Sequence, residues 1–281
     1  MRETDGRDAA DSTYTMGYTQ EFLQLLERRS AQTSAAHLLP HLRPGMRLLD
    51  FGCGPGTISV GLAEAVQPGV LHGMDMEASQ IEIARAAALA GGHGNMELRA
   101  GDVTEMPFED GFFDVAHCNA VLMHVPDTQA VLAEVRRVLK PGGLLACREL
   151  IKSSCFFEPG VDDLNSGWDT FGDLLAANGG HPQMGRQLKR VFQEAGFADI
   201  EVGAEFESFV SAEDVAFFHR FALEWFCSKE TVEAAVHLGV ADRQQFDGYR
   251  RSLDRWKDDP GAAAAIGWGY GLARKKSSPA S

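Results

Sequence analysis

The sequence predicts an α/β fold built on a doubly wound, mostly parallel sheet, and three observations predict it. Strand-like and helix-like segments alternate from Met46 to Ile151; a glycine-rich stretch, LLDFGCGPGT, begins at Leu48; and Asp50, Asp75 and Asp102 fall at or just after the ends of successive strands. Such alternation favours right-handed βαβ units, helices on both faces of the sheet, and ligands at the carboxyl ends of the strands.

Each element follows from local pattern. The first dozen residues are charged and small. From Thr19 to Leu39 the spacing of Phe22, Leu25, Leu26 and Arg29 predicts one helix, with Thr19 as N-cap and Pro40 as its stop. MRLLDF, VLHGMD, MELRA, FDVAHCNA and GLLACREL read as five strands, separated by helices such as EASQIEIARAAALA and TQAVLAEVRRVLK. After Cys155 the rhythm breaks. GRQLKRVFQEAGF reads as a helix ended by Gly196 and is followed by a strand around Ile200–Val202; two or three helices fill 212–258, and AAAAIGWGYGLARK is a final strand, which brings the sheet to seven.

Composition sets the class. With 281 residues, 44% hydrophobic and 23% charged, the chain suits one large globular domain. A net charge of -14 with scattered basic residues repels phosphate backbones, so nucleic acid is not an expected partner. No apolar run approaches the roughly 20 residues of a membrane span, and the polar N-terminus is unlike a signal peptide; no membrane association and a cytoplasmic location are expected. Five cysteines with no CxxC pair suggest free thiols and no metal site.

Three glycines after a strand suit either a dinucleotide pyrophosphate or a smaller nucleoside. The dinucleotide fingerprint GxGxxG requires glycine at position 57, where Thr57 stands; the third glycine is Gly56, which makes the loop GxGxG. Asp50, two positions before Gly52, would repel a pyrophosphate and attract an ammonium or sulfonium. The loop therefore favours a cationic ligand.

Four motifs in order now carry a resemblance: DFGCGPGT, GMDMEASQIEIAR, GDVTEMPFEDGFFDVAHCNAVLMHV and KPGG. Over residues 14–151 the chain resembles the class I S-adenosylmethionine-dependent methyltransferases, in the group of ubiquinone-biosynthesis and small-molecule enzymes. The resemblance implies a Rossmann-like sheet and S-adenosylmethionine as cofactor. Asp50, Gly52, Cys53, Gly54 and Gly56 would wrap its methionine part, and Asp75 would accept the ribose hydroxyls. Met76 would lie against the adenine, Asp102 and the Val103 N–H would read its edge, and Asn119 would offer a backbone carbonyl to the amine. Gln80 and Gly101, inside the same motifs, join the cofactor set. Tyr14 and Tyr18 resemble a cover folded over the cofactor, which gives residues 1–40 as a helical N-terminal cover and 41–281 as the methyltransferase domain, with helical insertions at about 156–184 and 212–258.

Methyl transfer from a sulfonium is an in-line displacement, accelerated largely by alignment and water exclusion. A general base matters when the acceptor must lose a proton. His124, which titrates nearest neutrality, leads for that role and also borders the cofactor; Glu149 and Tyr14 follow. His117 reads as structural. The aromatic run Phe217, Phe218, Phe221, Trp225 and Phe226, with Trp168 and Phe171, would roof an apolar acceptor site. The expected function is methyl transfer to an O, N, C or S atom of a small organic acceptor, in secondary or cofactor metabolism, by a monomer or homodimer. The alternative is a protein that binds the cofactor without methylating, as a cyclase or regulatory subunit. A nicotinamide oxidoreductase is disfavoured by the loop spacing, and an arsenite methyltransferase by the placement of Cys118 and Cys155.

Overall fold

The structure, a computed structural model, describes Leu26, residues 28–160 and residues 162–277. Five strands, β1 (Leu48–Phe51), β2 (Leu71–Asp75), β3 (Met96–Ala100), β4 (Phe113–Asn119) and β5 (Leu139–Leu150), pair in parallel in the order β3-β2-β1-β4-β5. β1 and β2 are buried at every residue, as central strands covered on both faces are, although Asp50, His72 and Asp75 are polar. Alternation still sorts their neighbours: Leu48 packs into the apolar layer beneath Leu62 and Val66, and Leu49 into the layer on the other face with Leu132 and Val135.

Beyond β5 the sheet turns antiparallel. A short β6 (Phe156–Glu158) and a long β7 (Phe197–Phe209) both pair with β8 (Ala263–Lys275), which also runs antiparallel to β5 from Leu144↔Arg274 to Leu150↔Trp268. β8 thus lies inside the sheet, between β5 and β7. β7 is longer than the expected Ile200–Val202 because β8 pairs with it from Phe197↔Lys275 to Phe209↔Ala264, with one register shift between Ala198 and Glu201.

Helices cover both faces. In chain order they are α1 (Ala31–Ser34), α2 (Thr57–Val66), α3 (Ala78–Ala90), α4 (Thr128–Val138), α5 (Asp162–Ala177), α6 (Met184–Glu194), α7 (Ala212–Phe221), α8 (Lys229–His237) and α9 (Arg243–Lys257). The predicted helix over Thr19–Leu39 is corrected where it is described. Ser30 is extended and starts α1 through a capping box with Thr33, and Pro40 sits inside a separate 3-10 turn, Leu39–His41; a cap residue in extended backbone breaks a longer helix. Thr19, Phe22 and Leu25 lie outside the described residues.

α6 ends as expected, with Gly196 in the left-handed region at φ +81. Its start rests directly on the sheet: a Cβ on Gly185 would lie 2.4 Å from the Glu149 carbonyl oxygen, and one on Gly269 would lie 2.3 Å from the Gly185 oxygen. α5, α7 and α9 stand over the carboxyl ends of the strands with a five-residue π-helical turn, Ala222–Phe226, after α7. No described helix is long and apolar enough to cross a membrane.

Candidate active site

The chain order leaves β1 for β2 on one side and resumes at β4 on the other, so adjacent connections diverge between β1 and β4. A cavity of about 670 Å³ opens there, at the carboxyl ends of the strands. Its wall brings together Asp50, Gly52, Cys53, Gly54, Asp75, Met76, Gly101, Asp102, Val103, Asn119 and His124.

The glycine loop is shaped by sterics. Gly52 and Gly54 sit at φ +68 and +53, conformations in which a side chain is strained. A Cβ on Gly52 would lie 2.3 Å from Val121 Cγ2, whereas one on Gly54 would meet nothing nearer than Leu26 at 4.0 Å. The Gly54 Cα therefore borders open space that a side chain would fill. Asp75 holds the loop in place: its Oδ2 accepts the Gly54 N–H at 2.8 Å and its Oδ1 the Glu77 N–H at 3.0 Å. Burial raises its pKa above the usual carboxylate range, against the pull of those two amides.

Asp50 is buried and fully engaged. Its Oδ1 lies 2.8 Å from His117 Nδ1, and its Oδ2 accepts the Ser59 hydroxyl. His117, expected to be structural, makes this buried bond and also borders the cavity. Asp102 Oδ1 closes a turn by accepting the N–H and hydroxyl of Thr104, both at 2.7 Å, while its Oδ2 takes no bond among the described residues. Met76 is 59% exposed and free to cover a ligand face. Burial, then the charges of Asp50 and Asp75, push the Cys53 thiol well above its ordinary value, so it is inert. The donors and acceptors suit an adenosyl sulfonium ligand: an engaged carboxylate at each of β1, β2 and β3, and open space against the glycine backbone.

Three expected site residues lie elsewhere. Glu149 is fully buried outside the cavity wall; its Oε1 accepts Val121 N–H at 3.1 Å and Leu122 N–H at 2.9 Å, and its Oε2 accepts Met123 N–H at 3.0 Å. It anchors the turn after β4, where Ala120 takes a strained φ of +56. Burial raises Glu149 to about 7, and the three amides oppose that shift. Gln80 is buried on the α3 stripe with Ile81, Ala84 and Ala88, facing the sheet. Gly56 starts α2, and a Cβ there would press on Ala84 at 3.0 Å. Tyr14 and Tyr18 lie outside the described residues.

The acceptor side is aromatic. Trp168, Phe171, Phe221 and Trp225 border it, while Phe217, Phe218 and Phe226 belong to the core behind. Asp127 caps α4 by accepting Ala130 N–H at 2.9 Å, which leaves His124 in the wall beside it. Burial, then the charge of Arg29, lowers His124 to about 3. Arg29 is the only lysine or arginine in the wall among the described residues, and it stands 5.3 Å from the Trp268 ring centroid. In the sequence Arg29 carries no signal beyond its helical spacing from Phe22, Leu25 and Leu26. Ile266 and Trp268 on β8 also line the cavity, and their two-residue spacing on a predicted strand is the signal that puts both on one face.

Residues 42–196 match the family described as "Methyltransferase domain". The chain is 35% identical over 166 residues to ltbC of Aspergillus luteorubrus, named a probable methyltransferase, across 56% of this chain and 58% of that one. It is 34% identical over 178 residues to demethylmenaquinone methyltransferase of Geobacillus kaustophilus, across 58% and 75%. The chain spans about half the length of three curated relatives that it matches, 44–58% of each. In fold it is similar to the YcgJ protein from Bacillus subtilis, with a TM-score of 0.60 and 16% identity, covering 88% of this chain and 100% of that one. The family match covers more than half of the chain and takes in the ends of β1 to β5, and the chain belongs to the S-adenosylmethionine-dependent methyltransferase family.

Proposed function

We propose that this chain transfers a methyl group to an O, N, C or S atom of a small organic acceptor, in secondary or cofactor metabolism. One observation carries the reading: a single cavity joins the acid-tipped ends of β1, β2 and β3 to an aromatic chamber that holds a neutral histidine. S-adenosylmethionine, when bound, supplies the reactive sulfonium methyl. Asp75 would accept its ribose hydroxyls, and Asp102 Oδ2 with the Val103 N–H would take the adenine edge. Asp50, held by His117 and Ser59, places negative potential beside the cationic end. Arg29 suits a carboxylate, either that of the cofactor or one on the acceptor. The roof of Trp168, Phe171, Phe221 and Trp225 excludes water and aligns the reactants. His124, neutral throughout the physiological range, is able to receive a proton from an O–H, N–H or S–H acceptor.

The test is release of S-adenosylhomocysteine from S-adenosylmethionine across a panel of small phenols, amines, thiols and carboxylic acids. Turnover with any class supports the proposal. Tight cofactor binding with no turnover across the panel would favour a protein that binds the cofactor without methylating.

A further inference from the structure

Behind the roof of the main cavity lies a second cavity of about 40 Å³. Trp168, Phe171, Phe221 and Trp225 belong to the walls of both, so these four rings are the partition between them. They are ordered: Phe221 and Trp225 stack with centroids 4.9 Å apart and planes 14° from parallel, and Trp168 leans on Phe171 at 5.1 Å. Phe217 continues the stack behind Phe221 at 6.3 Å and 2° from parallel, and an aromatic wall of this kind packs another planar ring edge-to-face or offset.

The far side of the partition is apolar. Leu164 and Leu253 line it, and the Tyr249 hydroxyl in its wall is already bonded to Thr170 Oγ1 at 2.9 Å. An apolar void without convergent polar groups stays dry and accepts an apolar group. Its size corresponds to about three heavy atoms, counted at the space that one probe sphere needs.

The partition also has an irregular side. Phe221 is the last residue of α7, and Trp225 lies in the π-helical turn Ala222–Phe226, where Cys227 N–H reaches back five residues to the Ala222 oxygen at 3.0 Å. Single π turns inside helical runs recur at functional sites. Two of the four dividing rings therefore stand on the least regular turn of the roof.

We infer that the acceptor is a planar ring bearing a short apolar branch. The ring packs against Phe221 and Trp225 in the main cavity, and the branch passes the partition into the second cavity. Leu164 and Leu253 close that cavity against longer chains. The inference rests on the methyl-transfer reading and names its substrate class.

The experiment begins with S-adenosylhomocysteine titrated into the full chain by calorimetry. With that product saturating, 4-alkylphenols from phenol to hexylphenol are titrated in turn. Affinity rises about fourfold per carbon through propyl, as expected for methylenes leaving water, and then levels or falls. Leu253→Ala moves the turning point to longer chains by two or three carbons, and Ala222→Leu flattens the series from methyl onward; a thermal melt shows that each variant is folded. A flat series in the wild type, an unbroken rise through hexyl, no binding by any member, or unmoved turning points in the folded variants overturns the inference and leaves methyl transfer standing. If Leu253→Ala does not fold, Ala222→Leu carries the test. Failure of S-adenosylhomocysteine to bind at the first step removes both.

Discussion

Asp75 at the end of β2 takes the backbone N–H of Gly54 at 2.8 Å, so one carboxylate both shapes the glycine loop and faces the cavity. Removing it costs charge-assisted hydrogen bonds on two sides. Asp75→Ala is expected to weaken S-adenosylhomocysteine binding about 10- to 150-fold, the range for hydrogen bonds to a charged group, with Asp75→Asn in between. A calorimetric loss below about threefold contradicts the assignment.

Gly52 pairs a positive φ with a close neighbour, so the two effects separate by mutation. Gly52→Ala is expected to destabilise the fold by about 1–3 kcal/mol through backbone strain and by a similar amount through overpacking against Val121. Adding Val121→Ala recovers the packing part alone. Denaturation curves of both variants decide this: full recovery in the double variant means that φ carries no strain.

Glu149 gives a pH signature. Its folded pKa of about 7 lies above the ordinary 4.5 because burial outweighs its amide partners. A raised pKa means that the folded state holds the proton longer, so this contribution to stability is complete below about 4.5 and is lost as pH rises through about 7. Between pH 4.5 and 8 the wild type should lose, on the order of, 3 kcal/mol relative to Glu149→Gln. Parallel stability curves for the two proteins would contradict that burial cost.

His124 and Arg29 form a testable couple. His124→Ala should lower kcat by about 100- to 10,000-fold, as for loss of a general base, with S-adenosylhomocysteine affinity unchanged. Since His124 is held near 3 by burial and by Arg29, wild-type turnover should show no step near pH 6.5. Arg29→Met removes the positive neighbour and moves any acid limb upward. An acid limb that stays in place in Arg29→Met separates the two residues.

The parallel half of the fold was legible because each of its signals is local. β1 opens on Leu48 and Leu49 and closes on Phe51, and the glycines, Asp75 and Asp102 sit at or just after strand ends whose order fixes the cavity. Glu149 lies off the site for a reason that is also local: it shares a face with Cys147 and Cys118, and Cys118 Sγ lies 3.6 Å from its Oε1, whereas Asn119 pairs with Arg148 on the other face. Period-two alternation, applied one residue further, sends Glu149 away from the cavity. Arg29 and Trp268 were not legible as a pair, because 239 positions separate them and only the completed sheet brings them within 5.3 Å. The extent of β7 was hidden for a similar reason: its glycine and glutamates obscure a strand that its partner β8 imposes.

β8 has a consequence for the order of synthesis. Ile266 and Trp268 belong to the cavity wall, and the strand that carries them fits between β5 and β7. While a ribosome is still making residues 1–262, the nascent chain already owns every glycine and aspartate of the loop side, yet β5 and β7 have no common partner and one wall is missing. The wall formed by Ile266 and Trp268 is present only once residues 263–275 have joined the sheet.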